Sequence, residues 1–267
     1  MVLSEKSGVA GENKIILVDK PMGMSSFGVV AKVRGVLKVE FGHKVKVGHT
    51  GTLDPFATGL LILLSGKMTK RSDEFLKLDK WYEATMRLGY TSTTGDPEGE
   101  IISYANREVV QACLASDTGR SRPSSRGERP NSRQQPPKCP QPSILEPLRL
   151  DMIKSTLKCF VGKITQIPPK YSAIKVNGQR AYKLARKGAE FEMPSREVEI
   201  YAIEILRYEW PELVVRCHVS SGTYIRTLAE DIGVKLGTGA YLTALRRLKV
   251  GEYDVKDAVK LEELLNQ

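Results

Sequence analysis

The sequence predicts an α+β fold, because runs with strand character and runs with helical periodicity follow one another without the strict alternation of βαβ units. Strands are indicated by the continuous apolar run LLILL at 60–64, closed by Ser65 and Gly66, and by the alternating pattern of WYEATMRLG from Trp81. Helices are indicated by SILEPLRLDMIKSTLKCFVG and TYIRTLAEDIGVKLG, with apolar residues at helical spacing.

In chain order, residues 1–13 carry neither the apolar stretch of a secretory signal nor the Arg-rich pattern of an organellar one, and read as a flexible cytoplasmic start. KIILVDKPMGMSSFGVVAKVRGVLK, from Lys14, is a short apolar strand, a Pro/Gly turn and a helix capped by Ser25 or Ser26. REVEIYAIEILRYEW and ELVVRCHVSSGTYIR read as later strands, and KVGEYDVKDAVKLEELLNQ as a strand followed by a short closing helix. One unit therefore spans 14–248, with 249–267 a short C-terminal extension. Residues 108–143 interrupt it: they are rich in Arg, Ser and Pro and poor in large apolar residues, so burial cannot offset their ordering entropy. A disordered basic insertion is expected there.

At 267 residues, 41% of them hydrophobic, the chain can bury a substantial core. Lys and Arg number 41 against 31 Asp and Glu, a formal charge of +10 that favours a polyanionic partner. A membrane partner is not expected, since there is no apolar run of about 18 residues and no lipidation motif. Cys113, Cys139, Cys159 and Cys217 are scattered without a CxxC pair, so neither disulfides nor a zinc site is expected.

The string most able to carry chemistry is VKVGHTGTLDPFATGLLILLSGK, residues 45–67. Gly48, Gly51 and Gly59 permit tight turns, and Pro55 fixes the chain directly after Asp54, so the loop can hold one acid rigidly. A bare Asp-Pro pair is more often an ordinary turn starter. Lys32, Arg34, Lys38, Lys44, Lys46, Lys67, Lys70 and Arg71 surround the loop, as fitting for a solvated face as for phosphate contacts. SGKMT has the wrong glycine spacing for a P-loop, and Met68 stands where a magnesium-binding hydroxyl is needed. His43 and His218 are isolated, and Cys217 and His218 point to opposite faces of a strand, so a metal site and a cysteine hydrolase are both unsupported.

GHTGTLDPFATGLL resembles, nearly letter for letter, the catalytic loop of the TruB family of pseudouridine synthases, and the match continues through Lys70. QIPPKYSAIKVNGQRAYKLARKG (166–188), SGTYIRTLAEDIG (221–233), YLTALRRLKVGEY (241–253) and the opening ILVDKPMGMSS resemble its other motifs, in the family's order. The resemblance implies a mixed, largely antiparallel sheet flanked by helices. It also implies isomerisation of a uridine in the T loop of tRNA, without metal or cofactor, by a monomer that needs no protein partner. On the matching positions Asp54 becomes the nucleophile or base, Arg226 the guanidinium that orients it, and Tyr82 the aromatic that stacks on the flipped uracil. His49, Lys70, Tyr224 and Leu245 become substrate-binding residues, Leu245 as an apolar wall, His49 beside the flipped nucleotide and Lys70 toward the phosphate backbone or the active site.

Two features depart from the family pattern. The insertion at 108–143 is one; the other is that many relatives carry a small C-terminal RNA-binding domain of the PUA type, which is not expected complete here. The catalytic subunit of an RNA-guided synthase of the dyskerin branch and a noncatalytic RNA chaperone are the alternatives. The first needs additional surfaces, and the second has no use for Asp54, Tyr82 and Arg226 together.

Overall fold

A computed structural model describes residues 11–104, 147–176 and 178–266. The insertion expected at 108–143, with Cys113 and Cys139, lies outside these residues. The chain opens with β1 (Ile15–Lys20) and α1 (Ser26–Phe41). The two serines at the start of the helix divide the work: Ser25 Oγ accepts from the N–H of Gly28 at 3.0 Å and caps the helix. Ser26 Oγ turns inward, accepting from the N–H of Leu53 at 2.8 Å and donating to its carbonyl at 2.9 Å.

β2 (Val47–His49) and β3 (Thr58–Ser65) are antiparallel and bracket the loop that carries Asp54. β3 shows why the apolar run is continuous. Leu61 and Leu63 pack with α1 residues such as Val30 and Val33, while Leu60, Ile62 and Leu64 pack on the other face with Met68, Phe75 and Val250. A strand buried on both sides cannot alternate in polarity.

Next come α2 (Ser72–Leu76), β4 (Lys80–Leu88) and the small pair β5 (Tyr90–Ser92) and β6 (Ile101–Ser103). α3 (Leu150–Lys158) is shorter than its periodicity suggests. Residues 147–149 precede it without helical structure, and Leu148 is drawn into packing against the main core while its carbonyl accepts from the Tyr208 hydroxyl at 2.9 Å. β7 (Gly162–Gln166), the hairpin β8 (Lys175–Val176) and β9 (Gln179–Arg180), and α4 (Ala181–Arg186) lead to β10 (Arg196–Glu209) and β11 (Glu212–Val219). The strand character read through Arg226 stops at Val219: Gly222 has φ +82°, and α5 (Ile225–Leu236) begins soon after. β12 (Ala240–Val250), β13 (Tyr253–Asp254), β14 (Val259–Lys260) and α6 (Leu261–Leu265) complete the described chain.

Ten strands form one mixed sheet in the order β14-β1-β3-β12-β4-β11-β10-β7, with β2 on β3 and β13 on β12. Its pairs are antiparallel except β1 with β14 and β3 with β12, which matches the expected largely antiparallel sheet. Residues 249–266 return to the first strand, as β14 pairs with β1 and Leu261 and Leu264 join the core beneath α1. The main core lies between the inner face of β4, β11 and β12 and the helices α3 and α5.

The parallel contact of β3 with β12 depends on a glycine. Gly59 has φ +100°, and a Cβ there would lie 2.3 Å from the Arg247 carbonyl oxygen. Gly48 has open space where its Cβ would be. Gly59→Ala is therefore expected to lower stability by about 1–3 kcal/mol or more, while Gly48→Ala stays within about 1 kcal/mol of the parent; urea unfolding of both variants checks the difference.

Candidate active site

The loop between β2 and β3 is tied down on several sides before its acid is considered. The Pro55 carbonyl accepts from the N–H of Gly23 at 2.8 Å and from Lys20 Nζ at 3.2 Å, and the N–H of Ala57 donates to the Asp54 carbonyl at 3.1 Å. With Ser26 holding Leu53, the backbone around Asp54 is joined to the β1–α1 turn at residues on both sides of the acid.

Asp54, with 32% of its side chain exposed, lies in a cleft of about 510 Å³, and Arg226 Nε is 3.1 Å from its Oδ2. Arg226, only 5% exposed, stands in the first turn of α5. Its Nη1 donates to Asp96 Oδ2 and to the Thr94 carbonyl, each at 3.0 Å, and its Nη2 to the Tyr171 carbonyl at 2.9 Å. The start of α5 is positioned in turn by Gln166, whose Oε1 accepts from the N–H of Tyr224 at 3.0 Å and whose Nε2 donates to the Tyr224 carbonyl at 3.2 Å. Burial raises the Asp54 carboxyl above its ordinary value of 3.8; the Arg226 charge opposes that rise, Asp96 adds to it and Lys20 opposes it.

Tyr82, on the inner face of β4, and Leu245, on β12 in register with Ala84, line the same cleft as Tyr224. Burial raises the Tyr224 phenol. The structure thus brings together Asp54, Arg226, Tyr82, Tyr224 and Leu245. His49 and Lys70 are not in the cleft lining. His49 lies on β2, where its Nδ1 accepts from the N–H of Gly51 at 3.4 Å, and burial with the nearby Arg247 charge lowers its pKa. Lys70 is exposed on the 3-10 turn Gly66–Arg71. Trp81 points away from Tyr82 and stacks on His218 at 4.4 Å between ring centroids; His218 also bonds Asp79. Cys217, facing the core, has its thiol pushed up to about 12 by burial, and no group of three or more metal-ligating side chains occurs among the described residues.

Four charged residues of this neighbourhood were not singled out from sequence: Lys20, Lys80, Asp96 and Arg247. Three were legible by period two, since Lys20 is in phase with Ile16 and Val18, Lys80 with Tyr82 and Ala84, and Arg247 with Leu245. Lys20 Nζ is spent on the carbonyls of Pro21, Met24 and Pro55, and burial lowers it to about 8. Asp96, in the turn TGDPEG, carried no local signal.

Comparison with known proteins gives the family. The pattern for the N-terminal domain of TruB family pseudouridylate synthases matches residues 34–139 and 127–225, and that for the tRNA pseudouridylate synthase B C-terminal domain matches 226–267. The tRNA pseudouridine synthase B of Endomicrobium trichonymphae is 39% identical over 249 residues, covering 93% of this chain and 90% of that protein. The same-named protein of Pseudomonas paraeruginosa (strain DSM 24068 / PA7) is 41% identical over 250 residues, 94% of this chain and 68% of that one. A crystal structure of a Cbf5-Nop10-Gar1 complex aligns with a TM-score of 0.59 at 27% identity, covering 94% of this chain and about half, 53%, of that chain. Fold and matches together define a pseudouridylate synthase domain. The chain belongs to the TruB family.

The opposing influences on Asp54 give a signed test. Arg226→Leu is expected to raise the Asp54 pKa further, whereas Asp96→Asn, which removes a like charge, lowers it. Carboxyl-carbon NMR titration of the two variants reads both directions, and a shift of the same sign in both contradicts the arrangement.

Proposed function

We infer that this chain isomerises uridine to pseudouridine in tRNA, at a T-loop uridine turned out of its helix into the cleft. The observation that carries the reading is the single carboxylate of Asp54, held by a buried guanidinium whose other donors are already engaged. Relatives bearing the name tRNA pseudouridine synthase B support the substrate class.

Unstacking a loop nucleotide costs only a few kcal/mol, and the extruded base can then lie against an aromatic ring. Tyr82 offers such a ring in the cleft that holds Asp54, and Leu245 adds apolar lining. Asp54 starts cleavage of the N1–C1′ bond as nucleophile or base. Uracil turns, C5 bonds to C1′, the C5 proton departs and N1 takes one up. Reactant and product have the same composition, so the reaction balances without an oxidant or a co-substrate. Arg226 favours the ionised carboxylate and fixes its direction with a planar fork that Lys lacks. His49 and the exposed Lys70 meet the RNA outside the cleft. The enzyme acts alone, as a cytoplasmic monomer. The likeness to a Cbf5-containing complex favours an RNA-guided reading less, because the curated relatives are more identical and are covered over more of their length.

Purified protein incubated with an unmodified tRNA transcript, with no guide RNA, is expected to form pseudouridine at one T-loop position, read by chemical labelling. An isolated T-arm stem-loop is expected to react as well. Asp54→Asn should yield no product while binding RNA within severalfold of the parent. Arg226→Lys should lose about 10²-fold or more in single-turnover rate with little change in binding. Turnover by Asp54→Asn removes that residue from the chemistry, and product only on adding a guide RNA selects the guided reading.

A further inference from the structure

The cleft holds more positive charge than its acids account for. β4 and β12 pair so that Arg247 lies opposite Tyr82, and Lys80 precedes Tyr82 by two residues on the same strand face. Both cations line the cleft, although Lys80 is 6% exposed and Arg247 3%. Arg247 Nε donates to the Leu60 carbonyl at 2.7 Å and its Nη2 to the Gly51 carbonyl at 3.2 Å, gripping both sides of the Asp54 loop. Lys80 Nζ donates to the Leu76 carbonyl at 2.7 Å and to the Leu78 carbonyl.

These acceptors are all neutral. Neither cation has an ion-pair partner among the described residues; Asp79, next to Lys80, bonds His218, and Asp54 and Asp96 are shared by Arg226. The two charges oppose each other, and burial together with Arg247 lowers Lys80 to about 8. Buried charge without a counter-charge is costly. It is retained where a ligand supplies the missing anion, and the anion that RNA brings into a cleft is its phosphodiester.

We propose that Lys80 and Arg247 form a phosphate seat in the cleft floor, binding a phosphodiester that flanks the flipped uridine. The proposal rests on the isomerase reading above. Arg247 Nη1 and Lys80 Nζ supply the donors, and Tyr82, next to both, ties the position of the phosphate to that of the base. The seat sets how deeply the nucleotide enters, so that C1′ rather than the base edge meets Asp54.

The test uses T-arm stem-loop RNA in which one phosphate flanking the target uridine, on its 5′ or its 3′ side, is a neutral methylphosphonate. With the unaltered protein, one of the two RNAs is expected to bind about tenfold more weakly, with a salt slope shallower by about 0.7. Lys80→Gln keeps a donor for the Leu76 and Leu78 carbonyls but removes the charge; Arg247→Lys keeps the charge but loses the fork. In Lys80→Gln the methylphosphonate should cost less than about threefold, because the charge it would have met is gone. Equal losses in parent and variant, or two methylphosphonates that bind as the native RNA does, overturn the seat. Pseudouridine formation in the unmodified stem-loop, scored in the same samples, reports on the isomerase reading independently.

Discussion

A guanidinium cannot shed its proton inside a protein, so its burial is tolerated only where its donors are met. Arg226 satisfies this condition by drawing three separate parts of the chain together: the Asp54 loop, the turn at Thr94 to Asp96, and Tyr171 ahead of the β8–β9 hairpin. The remaining features of the site follow from where that side chain is anchored. α5 must begin where it does, which Gln166 arranges through the Tyr224 backbone, and its inner side must pack against β4, β11 and β12. Asp54 is thereby left partly exposed in the cleft while Arg226 holds its carboxylate.

The second constraint is the loop itself. Eight residues separate β2 from β3, and their path is set by contacts from elsewhere in the chain: Ser26 and Gly23 from the β1–α1 turn, Lys20 from the end of β1, and Arg247 from β12. Each contact pairs a buried polar group, which lowers the cost of a polar loop crossing the core. Lys20 and Arg247 achieve this with charged side chains and neutral carbonyls, so the interactions that shape the loop also place positive charge beside it.

Asp96 and Lys80 illustrate how a residue's role follows from its environment. Both are charged residues at the edges of a strand or turn, a setting in which solvation is the ordinary outcome. Asp96 is buried because Arg226 arrives from a helix 130 positions away. Lys80 is buried with its amine on the carbonyls of Leu76, at the end of α2, and of Leu78, in the connection to β4. The partners of Lys80 are its near neighbours in sequence, whereas the partner of Asp96 is remote, which is why local pattern could not assign Asp96 at all.

Period-two and period-3.6 patterns in the sequence determined most strands and helices, because burial of one face imposes those periods on any chain. The α+β class, a helix capped at Ser25 or Ser26, the strand at 60–64 and the alternating strand from Trp81 were readable from the sequence. The string around Asp54 and the SGTYIRTL motif also marked Asp54 and Arg226 by resemblance, without any knowledge of distance. Tertiary structure decided that the two carboxyl-bearing turns share one guanidinium, that α3 starts only after Pro147, and that Lys80 and Arg247 flank Tyr82. Those outcomes depend on strand order and register across a sheet whose partners lie tens to hundreds of residues apart, and pairing over such separations is fixed by the packing of whole faces, not by any local run of residues.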